Sequence, residues 1–492
     1  MANTADPEAL AVAPDSVGAE SEAAAIVEER LPAKVKWAYG LGGTTDIFGH
    51  WLFLTLADPV FNVYFGLTPT EIGNVKGVTL AVDAFAGLLF GWLSDNTRSR
   101  WGRRRPYILV GSILAGVGLP FLFLPSQSWG HDKIYMYLLF SSVLYAPIIA
   151  AYNSPYQSLG SELTPDYYER TSVMGFKAVV QKSSGILMGG ALWFANLAWF
   201  TDETTGKVDV ALGAMWACAI AGAIMVVAGI ANFTVVPERY YGKARSQGRV
   251  GVMEMITKTF GCVPFLLLLG VAFCYAIPTA AIQTLGFYAG NFYVLGDDLA
   301  TWGELGFWGG LSYSLFGIAA IYPAQLLVRR YGKRVALGAI LVMGIITFAL
   351  SLVLYTPAFP YLTVLHNGLN GLCATGLWVV LPSMTVDVID YDEMHSGKRR
   401  EGAFNSMFSW TMKAGMVTAS VFAGRALDAF TGFDAKLGGA QTPETMLWIR
   451  LLFAFVPIVA CVVALVLLSR FSLTTERMAS IRRELESRRG TV

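Results

Sequence analysis

Apolar stretches of about 20 residues, the length a helix needs to cross a bilayer core, recur along this 492-residue chain. They fall near residues 36–64, 71–95, 106–125, 133–157, 170–199 and 209–235. A polar break from Pro237 to about Lys258 follows, and then come 260–291, 302–328, 334–355, 360–389, 402–428 and 446–470. The pattern predicts an all-α membrane protein of twelve transmembrane helices in two sets of six. It divides the chain into a tail (1–33), a first bundle (34–236), a central loop (237–259), a second bundle (260–471) and a closing tail (472–492).

The polar joints between these stretches give an orientation. Basic clusters occupy Arg98, Arg100, Arg103, Arg104 and Arg105 after the second stretch, and Arg239, Lys243, Arg245, Arg249 and Lys258 in the central break. They recur at Arg329, Arg330, Lys333 and Arg334, and at Lys398, Arg399 and Arg400. The joints between them, near 126–132, 201–208, 292–300 and 356–359, carry few or no basic residues. Because positive residues gather on the cytoplasmic side of short loops, the alternation predicts that both termini are cytoplasmic. Trp101-Gly102-Arg103-Arg104 is echoed by Tyr331-Gly332-Lys333-Arg334 at the matching place in the second half, a trace of an internal repeat.

Charged residues are only 14% of the chain, against roughly 25% in an ordinary soluble domain, and the mean hydropathy is +0.51. A net charge of +1 without a long basic stretch gives no reason to expect a nucleic-acid partner. The five cysteines (Cys218, Cys262, Cys274, Cys373, Cys461) all fall within apolar stretches without metal-like spacing, and read as small packing residues. The first tail carries seven acidic residues before Arg30 and lacks a basic-then-apolar leader. It is expected to be disordered, and the closing tail to form a short amphipathic or frayed helix.

Ionisable side chains deep in a spanning helix are costly and mark function. Asp46 and His50 lie one turn apart in the first stretch, and Asp83 in the second. The fourth ends in Tyr152-Asn153-Ser154-Pro155-Tyr156-Gln157, and the fifth carries Lys177, Gln181 and Lys182. The tenth holds Asn367, Asn370, Trp378, Asp387 and Asp390; the eleventh places Asn405, Ser409 and Lys413 on one stripe. Carboxylates, amides and an indole suit a sugar, whose hydroxyls donate and accept while its apolar ring face packs on an aromatic. Other polar solutes fit the same set. No nucleophile–base pair, metal cluster or phosphate loop is present in the sequence, so neither an enzyme nor ATP use is expected, and no cofactor beyond a coupling ion.

Three motifs, in order, carry a resemblance. The turn Gly91-Trp-Leu-Ser-Asp95-Asn-Thr-Arg98-Ser-Arg100-Trp-Gly-Arg103-Arg104-Arg105-Pro106 resembles the loop between helices 2 and 3 of major facilitator transporters. Pro155-Tyr-Gln-Ser-Leu-Gly-Ser-Glu162-Leu-Thr-Pro-Asp166-Tyr-Tyr-Glu169-Arg170 is similar to the signature between helices 4 and 5 of glycoside–pentoside–hexuronide:cation symporters, the melibiose-permease type. So is Asp387-Val-Ile-Asp390-Tyr-Asp-Glu393, followed by Gly397-Lys-Arg-Arg400-Glu-Gly402 and Lys413-Ala-Gly415. The resemblance implies the major facilitator fold, two pseudo-symmetric six-helix halves around a site near the bilayer midplane. It assigns sugar contacts to Asp46, Trp378 and Lys413, with Lys177 standing for a helix-5 arginine; Asn153 and Gln157 join them as substrate candidates. Lys182 is read as structural rather than ligand-binding, and packing alone would also account for Trp378 and His50.

Departures from the family pattern bear on the ion. Sodium-using members carry two helix-2 aspartates one turn apart and a third on helix 4; here Asp83 is followed by Gly87, and the helix-4 position is Asn153. A hard cation wants several oxygen ligands and enough negative charge to replace its water. The expected coupling ion is therefore H+ in preference to Na+, with Asp83, Asp46, His50 and Asn153 as the coupling group. A gate is expected from Asp95, Arg98 and Arg103 facing Asp387, Asp390 and Glu393 across the halves. The chain is expected to import a sugar or glycoside across the inner membrane, as a monomer among lipids. A carrier of an amphiphile on the same scaffold, or a non-transporting sugar sensor, are the alternatives.

Overall fold

The computed structural model describes residues 31–164, 167–203, 206–238, 261–397 and 401–489. The first 30 residues, Asp166, the central-loop cluster Arg239, Lys243, Arg245, Arg249 and Lys258, and Lys398, Arg399 and Arg400 lie outside the described residues. Among the described residues the chain is helical, with one isolated bridge between Thr201 and Val208. Helix α1 covers 33–64, turning at Gly42 and passing through π turns at Phe48–Leu52 and Asp58–Tyr64. The first half continues with α2 (Pro69–Asn96), α3 (Arg105–Phe121), α4 (His131–Glu162), α5 (Tyr167–Gly189) and α6 (Val210–Val235). The second half holds α7 (Val263–Tyr288), α8 (Leu299–Tyr331), α9 (Lys333–Leu354), α10 (Leu362–Ser396), α11 (Glu401–Ala426) and α12 (Pro443–Ser469). A further helix, α13 (Thr475–Arg489), buries Met478, Ile481 and Leu485 in the same apolar cluster as Val388 and Ile389 of α10.

Eight of these helices are long and apolar enough to cross a membrane: α2, α4, α6 to α10 and α12. Helix α3 is apolar but has only 17 residues. Of the other helices among α1 to α12, three remain, α1, α5 and α11, and they are those that carry Asp46 and His50, Lys177, Gln181 and Lys182, and Lys413. Their polarity is the mark of an interior lining, because only a face turned from lipid tolerates such groups.

The internal repeat has a structural counterpart. Gly102 (φ 99°) and Gly332 (φ 81°) both sit in left-handed backbone that favours glycine, each turning the chain into the third helix of its half. Just after Gly102, Arg103 pairs with Glu162 at the end of α4; just after Gly332, Lys333 pairs with Asp387 near the end of α10. Arg105 donates to the Phe233 carbonyl at the end of α6, and Arg334 to the Ser469 carbonyl at the end of α12. In the first half Glu238 adds a helix-start cap, its carboxylate accepting from the amides of Arg103 (2.8 Å), Arg104 (2.6 Å) and Arg105 (3.2 Å). We call this arginine-bearing end the basic face and the other the far face.

The halves meet toward the far face. Glycines let the backbones touch: a Cβ at Gly73 of α2 would lie 2.8 Å from the Ser420 carbonyl of α11, and one at Gly189 of α5 would lie 2.5 Å from the Gly306 carbonyl of α8. Around these contacts Thr70 N–H donates to Asp428 (2.8 Å) and Thr55 to Gln283 (3.2 Å). Lys76 of α2, 2% exposed, pairs with Asp58 of α1 at 2.5 Å and donates to Thr284 of α7 at 3.3 Å. The sequence reading passed over this buried pair. Both residues lie within two turns of a helix end, where a charged side chain ordinarily reaches out to the interface instead.

Candidate functional site

Helix α1 is interrupted at Gly42, whose amide bonds the carbonyl three residues back, Tyr39, at 3.0 Å, and neighbouring helices add hydrogen bonds there. Tyr152 donates to the Gly42 carbonyl and Tyr156 to the Tyr39 carbonyl, both at 2.8 Å, and Asn232 donates to the Ala38 carbonyl at 2.7 Å. Such satisfaction is required of irregular backbone at membrane depth. The break, with the π turn that begins at Phe48 and contains His50, aims Asp46 and His50 at α4, where Asn153 and Gln157 are likewise one turn apart. Two clusters result, sharing both helices.

In the first cluster Asp46 accepts from Gln181 of α5 at 2.8 Å and from Gln157 at 3.3 Å. Lys177 donates to the Gln157 carbonyl at 2.7 Å and lies 5.1 Å from the centre of the Tyr156 ring, a cation–π contact. Gln157 is exposed while Lys177 is buried. The arrangement offers a carboxylate, two amides and an ammonium at one wall, a set that matches a ring of hydroxyls. The sequence marks Gln181 as a polar residue of α5 without placing it at the site; its spacing of four from Lys177 is the available signal.

The second cluster lies deeper. His50 Nε2 is 2.9 Å from Asp83 Oδ2, and Lys413 Nζ of the second half is 2.7 Å from that same oxygen. Asn153 Nδ2 meets His50 Nδ1 at 2.8 Å. The tautomer that fits carries its proton on Nε2, donates to Asp83 and accepts from Asn153. Asn153 Oδ1 and Asp83 Oδ1 are buried without partners among the described residues. Where a second helix-2 carboxylate would stand, Gly87 presents only its backbone; a Cβ there would be 3.6 Å from Lys413 Nζ.

Trp378 stands on α10 with 53% of its surface exposed, three residues past Thr375, which accepts from Lys182 of α5 at 3.4 Å. The expected gate residues all lie at the basic face. Asp95 is held by Arg104 (2.8 Å), a residue the gate reading left out, and Arg103 grips both oxygens of Glu162 at 2.6 and 2.7 Å. Asp387 is held by Lys333 at 2.7 Å, and Asp390 and Glu393 continue α10 beyond it. Arg98 is exposed in the turn. These ion pairs stay within each half, in a structure whose halves close at the far face.

A family model described as MFS/sugar transport protein matches residues 39–475. The chain belongs to this family. The major facilitator fold and the symporter resemblance read from its motifs are thereby borne out, and this sugar-transport-family member is a multi-pass membrane transporter rather than an enzyme. It is similar, at 27% identity over 438 residues (86% of this chain, 88% of the relative), to the uncharacterized symporter YnaJ of Bacillus subtilis (strain 168). At 25% identity over 465 residues (94% and 96%) it is similar to the putative glycoside/cation symporter YagG of Escherichia coli (strain K12). Among solved structures, a bacterial homologue of the human lysosomal transporter Spinster, inward-facing and unoccupied, superposes with a TM-score of 0.62 over 94% of this chain and 99% of that one. At 16% identity that likeness speaks for the fold alone.

Proposed function

We propose that the protein is a sugar or glycoside importer driven by protons, working by alternating access between the closed far face and the basic face, which we take as cytoplasmic. The Asp46–Gln157–Gln181–Lys177 wall holds the sugar hydroxyls, and Trp378 packs the apolar face of the ring. Lys413 reaches from the second half to the coupling group, so binding at the wall and closure of the halves act on one cluster.

The observation that carries the choice of ion is the coordination of Asp83. A sodium ion is bound by a shell of oxygens. Here the carboxylate's Oδ2 is occupied by two nitrogen donors, His50 and Lys413, and an ammonium already supplies the positive charge. Protonation at His50 Nδ1 instead asks for one acceptor. A half-turn of the Asn153 amide presents its unpartnered Oδ1 to that proton, while Nε2–H keeps its bond to Asp83. Sugar and proton are linked mechanically. A sugar hydroxyl that takes Asp46 from Gln157 moves the helix that carries Asn153, one turn away on α4.

The test is uptake of a labelled glycoside panel into proteoliposomes with proton and sodium gradients imposed separately. Accumulation driven by the proton gradient alone is expected. In Asp83→Asn that accumulation is lost while downhill sugar exchange persists. Accumulation driven by sodium would overturn the ion assignment, and no uptake of any glycoside would overturn the substrate.

A further inference from the structure

Among the described residues, the lining at mid-depth does not balance its charge. The ammonium of Lys413 is paired with Asp83 at 2.7 Å. That of Lys177 is bridged to Asp46 through Gln157, by bonds of 2.7 and 3.3 Å. The third, Lys182, has no carboxylate partner among the described residues. Its named contacts are a long hydrogen bond to Thr375 Oγ1 at 3.4 Å and the face of the Tyr313 ring, 4.7 Å from its centre. The first acid further along α10 toward the basic face, Asp387, is twelve residues from Thr375, about 18 Å along the helix axis, and is held by Lys333.

An ammonium with three donors and one stretched neutral acceptor is under-satisfied. At membrane depth an uncompensated charge is costly and is retained where a ligand or ion path uses it. The place of this one is informative. Thr375 and Trp378 are three residues apart on α10 and therefore on one face, so the residue that Lys182 reaches lies about 4.5 Å along the helix axis from the one that carries the exposed indole. A pyranose packed on Trp378 would bring a ring substituent within reach of Lys182.

We propose that Lys182 selects an anionic sugar: the substrate carries a carboxylate or sulfonate that pairs with this ammonium while its ring lies on Trp378. The inference rests on the sugar-transport reading and narrows it, since that reading treats neutral and acidic sugars alike. Charge-assisted hydrogen bonds to a carboxylate or sulfonate are about twice as strong as neutral ones, and the anion cancels the surplus charge of the lining. Thr375, now the acceptor for Lys182, becomes free to donate its hydroxyl to the same anion.

The experiment is competition binding to the full-length protein with three matched probes: methyl β-D-glucopyranoside, its 6-carboxylate and its 6-sulfonate. Wild type is expected to bind one or both acidic probes at least tenfold more tightly than the neutral one. Lys182→Gln should weaken acidic probes by a similar factor and leave the neutral probe within twofold, while Lys182→Arg restores the preference. Equal binding of neutral and acidic probes by wild type overturns the proposal and leaves the sugar reading standing. So does an equal loss for all probes in Lys182→Gln, which is what a mere clamp between α5 and α10 would give. Binding of no probe sinks the proposal together with the sugar reading. Should Lys182→Gln fail to fold, as a lowered thermal midpoint would show, the wild-type ratio and Lys182→Arg decide.

Discussion

Single side chains in this protein are set as much by backbone donors as by partners of opposite charge. Asp298 shows it outside the membrane core: it starts α8, accepting from the amides of Ala300 and Thr301 at 3.1 Å and from the Thr301 hydroxyl at 2.6 Å. Partial burial works to raise its pKa, but the Thr301 and Ala300 hydrogen bonds outweigh it and hold the carboxyl below its ordinary value. A folded pKa below the unfolded one gives stability that is present above the unfolded value and lost as pH falls through the folded one. Asp298→Ala should therefore cost about 1 kcal/mol near neutral pH, the usual loss for a helix cap. In thermal unfolding the gap from wild type should close as the pH drops through the carboxylate range; a gap independent of pH would show that the charge is irrelevant there. The sequence made Asp46, His50, Asp83 and Lys413 legible because charge inside apolar stretches stands out. It did not show that Asp83 binds His50 and Lys413 at the same oxygen, since pairing across helices depends on rotation about each axis.

Whole helices follow the same division between what pattern reveals and what packing decides. Helices stand at all twelve stretches, but apolar length alone marks eight of them; α4 spans His131–Glu162 where 133–157 is expected, and α5 ends at Gly189 where 170–199 is expected. What length does not reveal is the break in α1 at Gly42, made tolerable by Tyr152, Tyr156 and Asn232 from other helices. Nor does it reveal the Lys76–Asp58 pair that ties α2 to α1 under Thr284 of α7. Removing one member of such a pair leaves a buried charge alone and costs about 3–5 kcal/mol. Asp58→Ala should accordingly lower the thermal midpoint sharply, and Asp58→Ala with Lys76→Met should recover most of the loss. If the double variant is as unstable as the single, packing rather than charge accounts for the defect.

At the scale of the molecule, the repeat of Gly102 and Gly332, each with its cation gripping an acid of the next helix, makes each half a preassembled body at the basic face. In the proposed alternating access the halves would rock about contacts at the other end. Joining Thr55→Cys to Gln283→Cys with a short bifunctional thiol reagent should arrest uptake, and a cleavable linker should restore it on reduction. The native cysteines are free and buried, which keeps the background reaction low. Full joining with undiminished uptake would mean that uptake does not need the far face to part, and would overturn the alternating-access reading. The material of that seam has a mechanical meaning. Where Gly73 meets α11 and Gly189 meets α8, backbone touches backbone, and that dispersion loses a quarter to a half of its depth over a gap of about 0.5–1 Å; the Thr70–Asp428 and Thr55–Gln283 hydrogen bonds beside them likewise hold only at close approach. Such a seam behaves as a toggle rather than a spring. It holds in contact, releases over a very short travel, and gives half-open forms, through which protons or sugar would leak, no resting place.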